Sequence, residues 1–85
     1  MKAPVRFYLR SGRDPNATDS RCRTLLLLAA KAGRTDVCRL LMESGADPTL
    51  RDADGVDALS AAIRNGHSQT AGVLRTYLAL SLIHI

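Results

Sequence analysis

Shifted by 33 residues, this chain falls onto itself. Gly12-Arg13-Asp14-Pro15 lands on Gly45-Ala46-Asp47-Pro48, Asp19 on Asp52, Leu26 on Leu59, Ala29 on Ala62, Gly33 on Gly66 and Leu41 on Leu74. Arg6 and Ser11 land likewise on Arg39 and Ser44. The shared residues are Gly, Pro and Asp, which fix turns, and Leu and Ala, which fill cores, so the identities gather where a backbone or a core is most demanding. A period of this size restricts the chain to architectures in which one small unit stacks on the next and none buries its apolar face alone.

Within one period the residues read as two short helices and a turn. Leu25 to Ala32 is rich in helix formers and ends at Gly33, suited to the left-handed conformation that follows a helix. Thr35-Asp36 offers a capping hydroxyl and an acid for the next helix N-terminus. Val37, Leu40 and Leu41 form an apolar stripe at helical spacing, with Asp36, Arg39 and Glu43 facing elsewhere, and that helix stops at Gly45. From Gly45 to Asp57 the chain is polar, and Asp47-Pro48 and Asp52-Ala53-Asp54-Gly55 carry turn chemistry. The cycle restarts with a helix over Ala58 to Asn65, then Gly66, then a helix over Gln69 to Tyr77. With only Phe7, Tyr8 and Tyr77 as aromatics and no Trp, the core must be aliphatic.

A helix, a tight turn, a returning helix and a Gly/Asp-rich hairpin at this period resemble the ankyrin repeat. The stretch Asp52-Ala53-Asp54-Gly55-Val56-Asp57-Ala58-Leu59-Ser60-Ala61-Ala62-Ile63-Arg64-Asn65-Gly66-His67 is similar to the family's D-x-x-G-x-T-P-L-H-x-A-A-x-x-G-H. Val37-Cys38-Arg39-Leu40-Leu41-Met42-Glu43-Ser44-Gly45-Ala46-Asp47 is similar to its V-V-x-L-L-L-x-x-G-A-D. The resemblance implies an all-α solenoid of stacked antiparallel helix pairs joined by hairpin-like loops, about two and a half repeats long. Two departures stand out. Cys22 sits where the first copy should have Gly, and the His of T-P-L-H, which ties neighbouring loops in the family, is Leu27 in one copy and Ser60 in the other. In the same pattern Gly66-His67 is structural, which leaves His67 no catalytic role.

Residues 4–18 match the second helix and hairpin of a preceding unit, 19–51 a full repeat and 52–78 a repeat lacking its final hairpin; residues 79–85 form a tail outside the pattern. Because stacking usually needs three repeats to bury a stable core, the sequence reads as a piece of a longer array. Leu80 to Ile85 reads as sequence that follows a cloning or sequencing junction.

Composition narrows the function. At 85 residues a two-domain enzyme is excluded. No apolar run approaches the roughly 18 residues of a membrane span, and the charged start is no signal peptide. Cys22 and Cys38 lack metal-ligand spacing, so they read as reduced thiols and point to an intracellular, cytoplasmic setting. No catalytic triad, phosphate loop or cofactor motif can be assembled. Asp47, Asp52, Asp54 and Asp57 lack the spacing of a calcium loop and read as turn and cap residues. What remains is a non-catalytic binding module.

By resemblance, the positions that ankyrin proteins vary for recognition map to Ser20, Arg21, Arg23, Lys31 and Ala32 in one copy and to Ala53, Asp54, Val56, Arg64 and Asn65 in the next. Four of these are basic and one is acidic, which predicts a positive concave face and an acidic or phosphorylated protein partner. The net charge of +4 resides in residues 1–23, with Lys2, Arg6, Arg10, Arg13, Arg21 and Arg23 against Asp14 and Asp19, while the rest of the chain is neutral. That patch keeps a second class open, a nucleic-acid or anionic-surface binder. The lack of aromatics for base stacking after Tyr8 counts against it. A third class is an accessory repeat domain of a larger enzyme.

Overall fold

The computed structural model describes residues 14–83. Within these residues four helices succeed one another: α1 (Leu25–Ala32), α2 (Thr35–Glu43), α3 (Ala58–Arg64) and α4 (Ser68–Ile83). The described residues contain no strand.

The two copies start their helices with the same device. Thr24 Oγ1 accepts the amide N–H of Leu27 at 3.1 Å, and Asp57 Oδ1, at the same register position, accepts that of Ser60 at 2.8 Å. Each side chain thus satisfies an amide that the first helical turn cannot. The ends also match, since Gly33 and Gly66 both turn the chain out of the helix at φ 74°. Such tight turns fold α1 back on α2 and α3 back on α4, giving two helical hairpins. The hairpins stack with α1 against α3 and α2 against α4.

One aliphatic core joins the two units. Leu26, Leu41 and Leu74 are fully buried, and Ala30, Ala62 and Cys38 pack between them without solvent exposure. Alanine at facing positions of α1 and α3 lets the two helices approach closely, as a repeat stacked at constant spacing requires. The buried arc of α2 is Cys38, Leu41 and Met42, with Val37 and Leu40 only half-buried. The expected Val37/Leu40/Leu41 stripe is therefore turned by about one residue. Burial lifts the Cys38 thiol, with help from the nearby Asp36 charge, to about 11, so it stays protonated and unreactive at neutral pH.

A second expectation is corrected at Thr35. Its hydroxyl does not cap α2: Thr35 is the first helical residue, and Arg34 at the cap position makes no side-chain capping bond. Instead Thr35 Oγ1 lies 2.7 Å from Thr70 Oγ1 of α4. Thr70 is almost fully buried, so its hydroxyl needs an internal partner, and Thr35 supplies one from the neighbouring unit.

At the register positions where Ser44-Gly45-Ala46 end α2, the second copy has Tyr77-Leu78-Ala79, and α4 continues to Ile83. No glycine stands there to release the helix. The partial unit over residues 4–18 falls for the most part outside the described residues, as do His84 and Ile85 of the tail.

Cys22 is a non-glycine residue in the left-handed region, at φ 62°, and its register partner Gly55 holds φ 78°. The hairpin dictates this conformation whichever residue occupies it, and a side chain there costs about 1–2 kcal/mol. Cys22→Gly is expected to raise stability by about 1 kcal/mol in a urea melt. An unchanged or lower midpoint would show that Cys22 is not strained.

Candidate interaction surface

Before each of α1 and α3 the chain makes a tight polar hairpin organised by one carboxylate. Asp19 Oδ1 accepts the amides of Arg21 at 2.9 Å and Arg23 at 2.8 Å; Asp52 Oδ1 accepts those of Asp54 and Val56, both at 2.9 Å. The backbone repeats as well, with Asp19 N–H donating to Arg23 O and Asp52 N–H to Val56 O, each at 3.0 Å. After α2 a second turn closes on Asp47, whose Oδ1 accepts the Thr49 amide at 2.9 Å, as Asp14 Oδ1 accepts that of Asn16 at 2.8 Å one period earlier.

Neighbouring units are tied by polar bonds that owe nothing to the missing T-P-L-H histidine. The Ala53 amide donates to Arg21 O at 2.9 Å, locking one hairpin tip to the next. Asn16 Oδ1 accepts the Asp47 amide at 2.6 Å, and its Nδ2 donates to Gly45 O at 3.4 Å. His67 Nε2 lies 3.1 Å from Lys31 O, with its ring against Gly33. Asn16 and His67 thus supply inter-unit ties in place of the family's histidine, whose positions Leu27 and Ser60 occupy.

These ties hold the hairpins and the first helices of both units around a shallow groove of about 170 Å³. Six of the ten sequence-selected positions line it: Arg23, Lys31, Asp54, Val56, Arg64 and Asn65. Ser20, Arg21 and Ala53 stand exposed on the hairpins outside it, and Ala32 is exposed at the end of α1. Leu27, Leu28, Asp52 and Ala61 complete the lining and are not among the positions the sequence selects. Leu28 was hidden in an unbroken apolar run, yet it is 39% exposed, an apolar side chain left in solvent within the groove.

The charge of this face differs from expectation. Arg23 Nε is committed to Asp19 Oδ2 at 2.8 Å, and Asp52 adds a carboxylate to the lining. The result is a groove of mixed charge, with Arg23, Lys31 and Arg64 alongside Asp52 and Asp54. Of the carboxylates read as turn and cap residues, Asp47 and Asp52 organise turns and Asp57 caps α3.

Two of these carboxylates carry an acid dependence. The Arg23 amide chiefly, joined by the Arg21 amide and the Arg23 guanidinium, holds Asp19 below the usual carboxylate range against an opposing desolvation; the Thr49 hydroxyl and amide do the same for Asp47. A folded-state pKa below the unfolded value gives stability that is present above the unfolded pKa of about 4 and fades as pH falls through the folded value. Stability is therefore expected to be flat from neutrality to about pH 5 and to decline below about pH 4. Asp19→Asn and Asp47→Asn should each flatten the decline in acid-titrated circular dichroism, and an unchanged profile would remove these turns as its cause.

Comparison with known proteins places these features in context. The family model for ankyrin repeats, in three copies, matches residues 2–79. Dauer abnormal formation protein 25 of Caenorhabditis elegans is 36% identical over 66 residues, which are 78% of this chain and 17% of that protein. The glycerophosphocholine phosphodiesterase gde1 of Schizosaccharomyces pombe is 35% identical over 78 residues, 91% of this chain and 7% of its own length. The E3 ubiquitin-protein ligase hecd-1 of Caenorhabditis elegans is 45% identical over 75 residues, 85% of this chain and 3% of its own. The chain thus spans less than a fifth of the length of each of these relatives. Among the described residues no helix is long and apolar enough to cross a membrane.

Proposed function

Because this chain belongs to the ankyrin repeat family, whose stacked helix pairs generally mediate protein–protein interaction, we propose that it is a non-catalytic module that engages a protein partner through its hairpin tips and concave groove. The contact residues on this reading are Ser20, Arg21, Arg23, Lys31, Ala32, Ala53, Asp54, Val56, Arg64 and Asn65. One observation carries it: six of these positions, on two hairpins and two helices, converge on one groove, and none belongs to the buried core. Their identity is therefore not dictated by core packing and is available for recognition. Leu28 supplies an apolar contact in the same groove. Two of the relatives are named as enzymes, and the module would act as an accessory region of a larger protein; an intracellular, cytoplasmic setting fits its free thiols.

A nucleic-acid binder would instead need a continuous run of uncommitted cations. Here Asp52 and Asp54 interrupt the run, and Asp19 holds Arg23. The test compares the chain with a Lys31→Glu/Arg64→Glu double variant for retention of proteins and of mixed-sequence DNA. Protein retention that survives moderate salt and is lost in a folded variant is the expected outcome. Tight retention of unrelated DNA, falling by about 10³ between 50 and 200 mM salt, would favour the phosphate-gathering alternative.

A further inference from the structure

Resting on that reading of the groove, we infer that its occupant is an extended segment of a protein partner that carries an acidic residue, an apolar residue and a basic residue in sequence along the groove. The groove has two ends of opposite character. Lys31 and Arg64, one period apart, stand in the last turns of α1 and α3 and together mark one end. The hairpin residues Asp52 and Asp54 mark the other. Leu28 lies between, in the body of α1.

The balance at the hairpin end decides the partner's chemistry. Arg23 is neutralised by Asp19 at 2.8 Å, and Asp52 Oδ1 is compensated by two backbone amides at 2.9 Å. No described residue pairs with the Asp54 carboxylate, and none pairs with the Lys31 ammonium or the Arg64 guanidinium. A uniformly acidic partner would gain at Lys31 and Arg64 and be repelled at Asp54. A segment with a carboxylate at the helix ends and a cation at the hairpin meets both and can seat an apolar side chain on Leu28. The ends are separated by about two turns of helix, roughly 10 Å, which an extended chain covers in about three residues.

The test selects short random peptides displayed against the immobilised chain. Enriched peptides are expected to hold an acidic and a basic residue roughly two to four positions apart with a Leu, Ile, Val or Phe between them. A synthetic copy should bind the Lys31→Glu/Arg64→Glu variant about tenfold more weakly, and replacing its acid by Lys should restore that loss. Asp54→Lys should weaken the same peptide and strengthen an all-acidic one, with circular dichroism confirming that each variant folds. Uniformly acidic winners that bind the wild-type chain as well as the Asp54→Lys variant would overturn this inference and leave the interaction reading standing. Failure to enrich any peptide would contradict both.

Discussion

Gly33→Ala is expected to destabilise the chain by about 2–4 kcal/mol, and Gly66→Ala by only about 1–2 kcal/mol. Both glycines hold φ 74°, so each alanine carries the same backbone penalty. They differ in what covers them. A Cβ on Gly33 would come within 2.6–2.8 Å of three atoms of the His67 ring, whereas one on Gly66 would meet nothing within 4 Å. The clash includes the ring carbon nearest the backbone, so rotating the ring tip cannot relieve it. His67 would have to leave, and its 3.1 Å contact with Lys31 O would go with it. The difference between the two melts isolates the worth of this inter-unit tie, and equal losses would show that the tie contributes nothing.

Leu41→Ala is expected to cost about 2–5 kcal/mol, on the scale of the whole stability of a small domain. Leu41 is fully buried on α2 in the cluster that also holds Cys38 and Leu74, so the cavity opens in the core shared by the two units. Cys38 reports on the result. Buried and protonated in the native chain, it should resist a thiol reagent while the exposed Cys22 reacts, and in Leu41→Ala both should react at similar rates. Retained protection of Cys38 and a cooperative urea melt near the wild-type midpoint would contradict the shared core.

Much of this architecture was legible because the period multiplies each signal. Asp19 and Asp52, and Gly33 and Gly66, each recur at one spacing, and each pair does the same job in the structure. The end of α1 follows directly from Gly33. What escaped were contacts between units, which no local pattern encodes. Thr35 looks like a cap from its neighbours alone and becomes a partner for Thr70 only when the units stack. The face of Leu28 is undetermined in a run of four leucines, since an all-apolar stretch has no periodicity to read. The groove's mixed charge escaped for a similar reason. Formal charges at the variable positions say nothing of Asp19 capturing Arg23, or of Asp52 joining from a position chosen for its turn.

One concave groove, built from both units, is the seat we propose for a protein partner. Chemical-shift mapping of the isotope-labelled chain against a peptide selected for binding it tests this most directly. The largest shifts are expected on Leu28, Lys31, Val56 and Arg64, with the α2 and α4 residues of the opposite side unchanged. Shifts confined to α2 and α4, with the groove residues silent, would contradict it.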